Sequence, residues 1–557
     1  MSAGIRQSHV ADRKGGGMSA GYVYVRVAGA PLVDTAFDSV SVTQELNNHW
    51  WCQIECRHTE GQRLLGQASP GMGTNYNVED WLGQDLQIVS YDQFFKEEVL
   101  FEGFVLAVEL EYQLQGSYHA RVTGVSRSYK MDLTPRHAYY LDKSLSSIAQ
   151  QLAGNTHLDC AAQCKDRRAL NYVQWGESDF QFLRRLVDDH QCWMRPSDKG
   201  IEIFDSFQPG TRVVWRGESG DNGLLGFSVK GKLAQPSFNG AHYNPHLMMS
   251  KTYTEVHTDP EFFGSVEPLV DAVKKASKDT LPPGYLQDRR RAVTLDDYEQ
   301  ELKMESVRSI GGSVSGKGTS RNREIRPGNT LEIAGVLDAQ GTYGVTSVVH
   351  TWTPKGYHND FTCTPWKNYV DPVLPEPKPW IGVVPARVVE HNDPKKMGRI
   401  KVQYFWQEGG PAHWARMLTP HAGGDRGFMF MPEKGDEVAV AFEEGDPERP
   451  VILGALWNGV DTAPRQGFWG PEDMESNDIK RIVTKSGNQI QMVDKKGQES
   501  IVLATPGSIR VALINKANET GRETLLLETS AGDIIFNAPN GRVHFCCKQF
   551  SREVGGS

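Results

Sequence analysis

A few sets of residues in this chain have the types and spacing to do chemistry. Glu443 and Glu444 beside Asp446, and the adjacent Asp188 and Asp189, are side chains that a hydrolase would use as acid and base. Neighbours at a strand end point to opposite faces, so neither set converges on one bond, and both read as solvated turns. His157, Cys160, Cys164, His190 and Cys192 carry the atoms of a zinc site. Their spacing matches no familiar zinc module, and buried thiols account for them equally well. Tyr404, Phe405, Trp406 and Trp414, with Lys395, Lys396 and Lys401 nearby, could stack single-stranded bases. The segments that follow are acidic, so packing is the expected role. No G-x-S-x-G or P-loop pattern supplies a nucleophile or a phosphate cradle. The residues expected to act as catalytic, cofactor-binding or metal-binding groups are therefore none.

Charge points the same way. With 60 Lys and Arg against 69 Asp and Glu the net charge is -9, which repels a phosphate backbone and argues against nucleic acid as a partner. A hydrophobic fraction of 39% and an aromatic fraction of 10% suit a folded protein, and no apolar run approaches the roughly 20 residues of a spanning helix. Residues 1–20 hold Arg6, Arg13, Lys14 and three successive glycines without an apolar stretch, so a loose polar tail is expected there and a signal peptide is not. Eight cysteines in 557 residues are too few for a disulfide scaffold and are expected to be reduced thiols of a chain made in the cytoplasm.

The elements that would position these residues separate by composition. From 21 to 370, apolar and polar residues alternate as in half-buried antiparallel sheet, for example at 22–27, 86–90 and 101–110. Three helices interrupt it. Leu145, Ile148, Ala149 and Leu152 share one face, Ser178 with Gln181 forms a capping box, and Leu295, Tyr298 and Leu302 mark a helix over 288–306. Four prolines in residues 371–379 forbid both helix and ladder and predict a stiff connector. Strands expected at 381–384, 400–406, 437–442 and 451–456 suggest a small closed barrel over 380–460. After a second linker, 461–480, glycines at 487, 497, 507, 521, 532 and 541 punctuate short apolar bursts at 489–493, 500–504, 509–514, 524–528, 533–537 and 542–545. Each burst is too short to bury itself, so neighbouring turns or other copies must cover it.

In the third region the pattern becomes specific. Asp393-Pro394, Gly398 through Val402, Trp414-Ala415-Arg416, Gly423 through Gly427, Pro432, Gly435 through Val438, Gly445-Asp446-Pro447, Arg449-Pro450 and Gly454 through Asn458 resemble the OB-like barrel of the VgrG and phage T4 gp5 family of spike proteins. Residues 482–494 look like that family's entry into a trimeric β-helix, and segments at 101–104, 145–152, 171–186 and 343–352 resemble its two-barrel, gp27-like hub. The resemblance implies a mainly β chain: a hub with two β-barrels and a few helices at 21–370, an OB-fold barrel, and an intertwined triple-stranded β-helix needle at 481–547 formed by a homotrimer, followed by a tail at 548–557. Unlike the T4 protein, no lysozyme-sized insertion separates barrel and needle.

The implied function is the central spike and hub of a contractile injection machine, in type VI secretion, an extracellular particle or a phage tail. It would cap the inner tube and puncture the target envelope to deliver effectors. Implied partners are an Hcp-like inner-tube protein, baseplate proteins, a PAAR-type tip protein, a separate effector cargo, and a membrane punctured mechanically. Localisation would follow: assembly in the bacterial cytoplasm, then ejection to the extracellular space or target cell. The competing reading is a tail-associated cell-wall hydrolase with a divergent active site in the hub. In the implied trimer His544 and Cys546 project to one side of a strand and could bind a transition metal at the apex. Val543, Phe545 and Cys547 form the more apolar opposite side, so a dry plug is expected instead.

Overall fold

Period-two alternation decides most of what the chain does. The computed structural model describes residues 22–31, 37–58, 81–91, 97–112, 118–164, 170–215, 223–244, 247–286, 295–369, 382–407, 410–464, 466–467, 470–471, 476–515 and 521–552. The expected N-terminal tail, the whole of the proline-rich connector and the first residue of the expected strand at 381–384 lie outside them. The described residues fall into two compact units, divided after Ala455.

In the first unit, strands Phe37–Glu45, Trp51–His58, Tyr118–Ser126, Glu97–Tyr112, Asp85–Tyr91 and Tyr22–Val27 pair antiparallel in that order. In Phe37–Glu45 the buried positions are Val40, Val42 and Gln44, every second residue. Val40 and Val42 pack with Ile54, Ile88, Phe101 and Val122 into one core. Gln44 donates its amide N–H to the Leu100 carbonyl at 2.6 Å. Leu86 and Cys52 need a glycine at 124, because a Cβ there would stand 2.4 Å from Leu86 Cδ2 and 2.6 Å from Cys52 Sγ.

A six-stranded ring completes the hub: Gln208–Trp215, Gly223–Gly231, Val314–Ser320, Gly356–Thr364, Gly341–Thr353 and Asn329–Ala334, the last closing on the first. Strand Gly341–Thr353 belongs to both sheets. Residues 341–344 pair with Asn329–Ala334, and 347–352 pair with Phe37–Glu45. Polar groups staple this seam: His350 Nδ1 meets the Tyr357 hydroxyl at 2.7 Å, and Arg326 reaches Glu98 at 2.7 Å. Burial holds the His350 ring well below its ordinary pKa, so it stays neutral.

The two capped helices are where the sequence places them. Helix α1, Leu145–Gly154, is capped by Ser144, and α2, Asp179–Asp189, by the Ser178–Gln181 box. They bury Ile148, Leu152, Phe182 and Leu186 together. Helix α3, Glu267–Thr280, was not foreseen. It starts from Val266 in the left-handed region with no side-chain cap, so the usual start signal is missing. Helix α4, Leu295–Gly311, runs beyond the expected end at 306.

The closed five-stranded barrel uses Val384–Glu390, Ile400–Tyr404, His413–Met417, Pro450–Ala455 and Glu437–Phe442, in that spatial order. The expected strand at 381–384 is corrected to Val384–Glu390, where Ala386 and Val388 point into the core. Asp393 anchors the first turn. Its carboxylate accepts from the backbone N–H groups of Lys395, Met397 and Arg399 at 3.0, 2.8 and 3.2 Å, and from the Arg399 guanidinium at 2.6 Å. Burial alone would raise its pKa, but these donors outweigh it and hold the carboxyl well below the usual range.

The second unit contains an antiparallel meander of Ile479–Val483, Gln489–Val493, Ser500–Ala504, Arg510–Ile514 and Thr524–Glu528. The expected bursts at 533–537 and 542–545 are not strands in the single chain. Among the described residues no strand pairs with them.

The Asp393 cluster makes one prediction. Asp393→Ala should destabilise the barrel by about 3 kcal/mol, because the Arg399 charge loses its buried partner. Urea unfolding followed by tryptophan fluorescence checks it. The carboxyl's depressed pKa gives stability that is complete above its unfolded value of 3.8 and lost as pH falls below that, a step the variant should lack.

Candidate assembly surface

In the meander, the pleat sorts side chains into two faces. Cross-strand register aligns Arg481, Gln491, Val502, Ala512 and Leu526 on one face. There Gln491, Val502 and Ala512 are buried. The other face carries two rows. One is Ile482, Ile490, Leu503, Val511 and Leu527; the second is Met492, Ile501, Leu513 and Leu525, with Lys480 at its start. Every apolar residue of both rows is exposed, Leu513 by 52% and Leu525 by 64%. A groove of about 640 Å³ follows the second row past Met492, Ile501, Leu513 and Leu525.

Burying such side chains contributes roughly 25 cal/mol per Å², so leaving two full rows in water is a large standing cost. Patches of this extent mark an interaction surface. Nothing within the described residues of this unit covers the face. Ile534, Ile535, Phe536, Val543 and Phe545 are exposed beyond it, with Phe536 and Phe545 in edge contact at 5.8 Å.

The first unit holds a second organised cluster, at the joint between hub and barrel. Strands Arg136–Lys143 and Leu170–Glu177 form an antiparallel pair that meets the barrel through rings. Trp175 contacts Trp406 at 5.2 Å, His137 lies 4.4 Å from Trp175, and Tyr139 sits 3.4 Å from His413. Tyr404 stacks between Trp406 and His413 at 5.1 Å from each. The Val173 N–H donates to Glu448 at 3.2 Å. Burial, and then the Lys401 ammonium, push His413 down to about 3.

These arrangements place the residues singled out in the sequence. Tyr404 and Trp406 enter the joint, whereas Phe405 lies under Arg387 and Trp414 under Arg399 and Lys401, so the four rings do not share a face. Glu443 was expected in a solvated turn, but it is ion-paired with Arg416 and with Arg449. Asp188 pairs with Arg308 at 3.0 Å. His157 is exposed, Cys160 and Cys164 are half-buried, and His190 is buried between Tyr172 and the Leu186 carbonyl. Among the described residues no three His, Cys, Asp or Glu side chains converge to hold a metal. Sequence reasoning missed the joint, since its halves lie more than 200 residues apart; only the density of aromatics at 404–406 hinted at it.

Comparison with known proteins bears on the same regions. The family described as the type VI secretion system/phage-baseplate injector OB domain matches residues 384–457. The type VI secretion system spike protein VgrG4b of Pseudomonas aeruginosa is 31% identical, over 78% of this chain and 62% of its own length. This chain therefore spans about three fifths of that relative. The actin cross-linking toxin VgrG1 of Vibrio cholerae is 29% identical over 59% of this chain and 32% of that protein. Among solved structures, the E. coli c3393 protein, described as a type VI secretion component similar to T4 tail proteins gp27 and gp5, aligns with TM-score 0.50 and 17% identity over 78% of this chain and 99% of that one. The half-lidded Francisella PdpA–VgrG complex aligns with TM-score 0.57 and 7% identity over 92% of this chain and 89% of that one.

The joint should respond to acid. His413 has a folded-state pKa below its ordinary 6.5, so its contribution to stability is full above 6.5 and is lost progressively as pH falls toward about 3. Urea unfolding followed by tryptophan emission should show the midpoint falling across that window, and in His413→Phe that fall should be reduced.

Proposed function

We propose that this chain, which belongs to the VgrG family of spike proteins, works as the homotrimeric central spike and hub of a contractile injection machine. The observation that carries the reading is the two-row apolar face of the C-terminal meander. A strand of five residues cannot cover its own second face, and three copies wound together would cover all three faces at once. Compression of such a needle loads many backbone hydrogen bonds together and leaves no lone edge exposed.

In this reading residues 21–370 are the hub that caps an Hcp-like inner tube, 371–379 the connector, 380–460 the OB barrel, 461–480 a linker and 481–547 the needle, with 548–557 following. The partners are baseplate proteins, a PAAR-type tip protein and an effector supplied as a separate protein. The target membrane is punctured mechanically, after assembly in the bacterial cytoplasm and ejection. The chain acts without catalysis of its own, which a peptidoglycan zymogram tests: a cleared band would favour the hydrolase reading.

Light scattering of the purified protein at micromolar concentration should give about 186 kDa, three times 62.1 kDa. A monomer mass would sink the proposal. Leu503→Asp and Leu527→Asp should each convert trimer to monomer, because every trimer would bury three unpaired carboxylates at several kcal/mol each. Ending the chain near Gly470 should leave hub and barrel folded but abolish delivery.

A further inference from the structure

We infer that residues 534–552 are a lipid-recognition segment, which binds the surface of an anionic bilayer through exposed phenylalanines and the basic residues set among them. The inference goes beyond the mechanical reading above and does not depend on it, since one copy carries every group it needs.

The apolar residues of this segment face water. Ile534, Ile535, Phe536, Val543, Phe545 and Phe550 are all exposed, Ile535 by 79%. Phe545 meets Phe536 edge-on at 5.8 Å and lies tilted against Phe550 at 5.9 Å, so rings spread along the sequence gather in one cluster. The segment forms neither helix nor strand, and among the described residues no strand pairs with it. Apolar surface gathered in this way and left in water marks a binding surface.

Charge selects the partner. Between Asp533 and Glu553 the sequence has no acidic residue, while Arg542, Lys548 and Arg552 are basic, in a chain whose net charge is -9. All three are exposed. In the meander that precedes the segment, by contrast, Lys480 lies 3.2 Å from Asp494 and Arg510 pairs with Glu528. Another copy of this chain does not supply the missing anions, because copies laid side by side add the same positive charge. An anionic bilayer answers both needs: its headgroups attract the Lys and Arg charges, and the boundary of its acyl chains takes the Phe and Ile side chains. A single-stranded nucleic acid would meet the charge and stack on the rings, but it would leave Ile534, Ile535 and Val543 in water.

The backbone sets the depth. A chain without helix or ladder cannot satisfy its N–H and C=O groups in hydrocarbon, so the segment rests at the level of the headgroups and does not cross. In the trimer proposed above, three such segments would meet one surface, and their linked contacts would hold far more tightly than one. Because the attraction is partly between exposed charges, salt weakens it.

The test floats the full chain through a sucrose gradient with vesicles of phosphatidylcholine alone or of phosphatidylcholine mixed with phosphatidylglycerol. The expected result is binding to the mixed vesicles at least about tenfold tighter than to phosphatidylcholine, falling as salt rises from about 0.1 M to about 0.5 M. Arg542→Glu, Lys548→Glu and Arg552→Glu made together should abolish the preference for the mixed vesicles. Phe536→Ser, Phe545→Ser and Phe550→Ser made together should weaken binding to them about tenfold at low salt and leave none at high salt. All six side chains are exposed, so both variants should match the unaltered chain in circular dichroism and in mass by light scattering. That mass reads the trimer separately, which tells a failure of the spike reading from a failure of this one. Equal flotation with both vesicles, undiminished binding by either variant, or a single-stranded oligonucleotide held more tightly than the mixed vesicles overturns the lipid assignment.

Discussion

Every strand has two faces, and a sheet is stable only when something lies against each apolar one. In the hub and barrel the chain meets this demand itself: the ring, the curled sheet and the five-stranded barrel each wrap around their own core. In the second unit it does not. Five short strands place nine large apolar residues on a face that the described residues of this unit leave bare. Much of what can be said about function follows from that imbalance, because a surface of this kind has a use only when other chains are present.

How much of this was legible in the sequence depended on distance along the chain. Helices α1 and α2 could be read because their signals are local: a serine cap, a glutamine three residues on, and apolar positions on one face. Helix α3 lacked such a cap and was missed, and the strand at Val384–Glu390 was placed too early, since the alternation around Pro385 offers two frames. The meander strands were legible through their glycine punctuation, but the segments at 533–537 and 542–545 share the same local pattern and form no strand, because strand formation also needs a partner. The aromatic joint lay furthest from reach, as neither Trp175 nor Trp406 signals the other.

Buried polar groups show a similar economy. Gln44, Asp393 and His350 all sit out of water, and each has a specific partner that fixes its position. Such groups contribute little net stability, yet they penalise any alternative register, since a slip of one residue would strand them without partners. In a chain made largely of strands, where register errors are the main competing folds, that penalty selects the native pairing.

The joint between the hub strand pair and the barrel has a mechanical consequence. Barrel and hub are consecutive in the chain, and the ring stack of Trp175, Trp406, Tyr139 and His413 joins them a second time, as a strut. A strut transmits thrust. A blow delivered to the hub therefore reaches the barrel through stacked rings in compression, and a nick in the intervening peptide would leave that path intact.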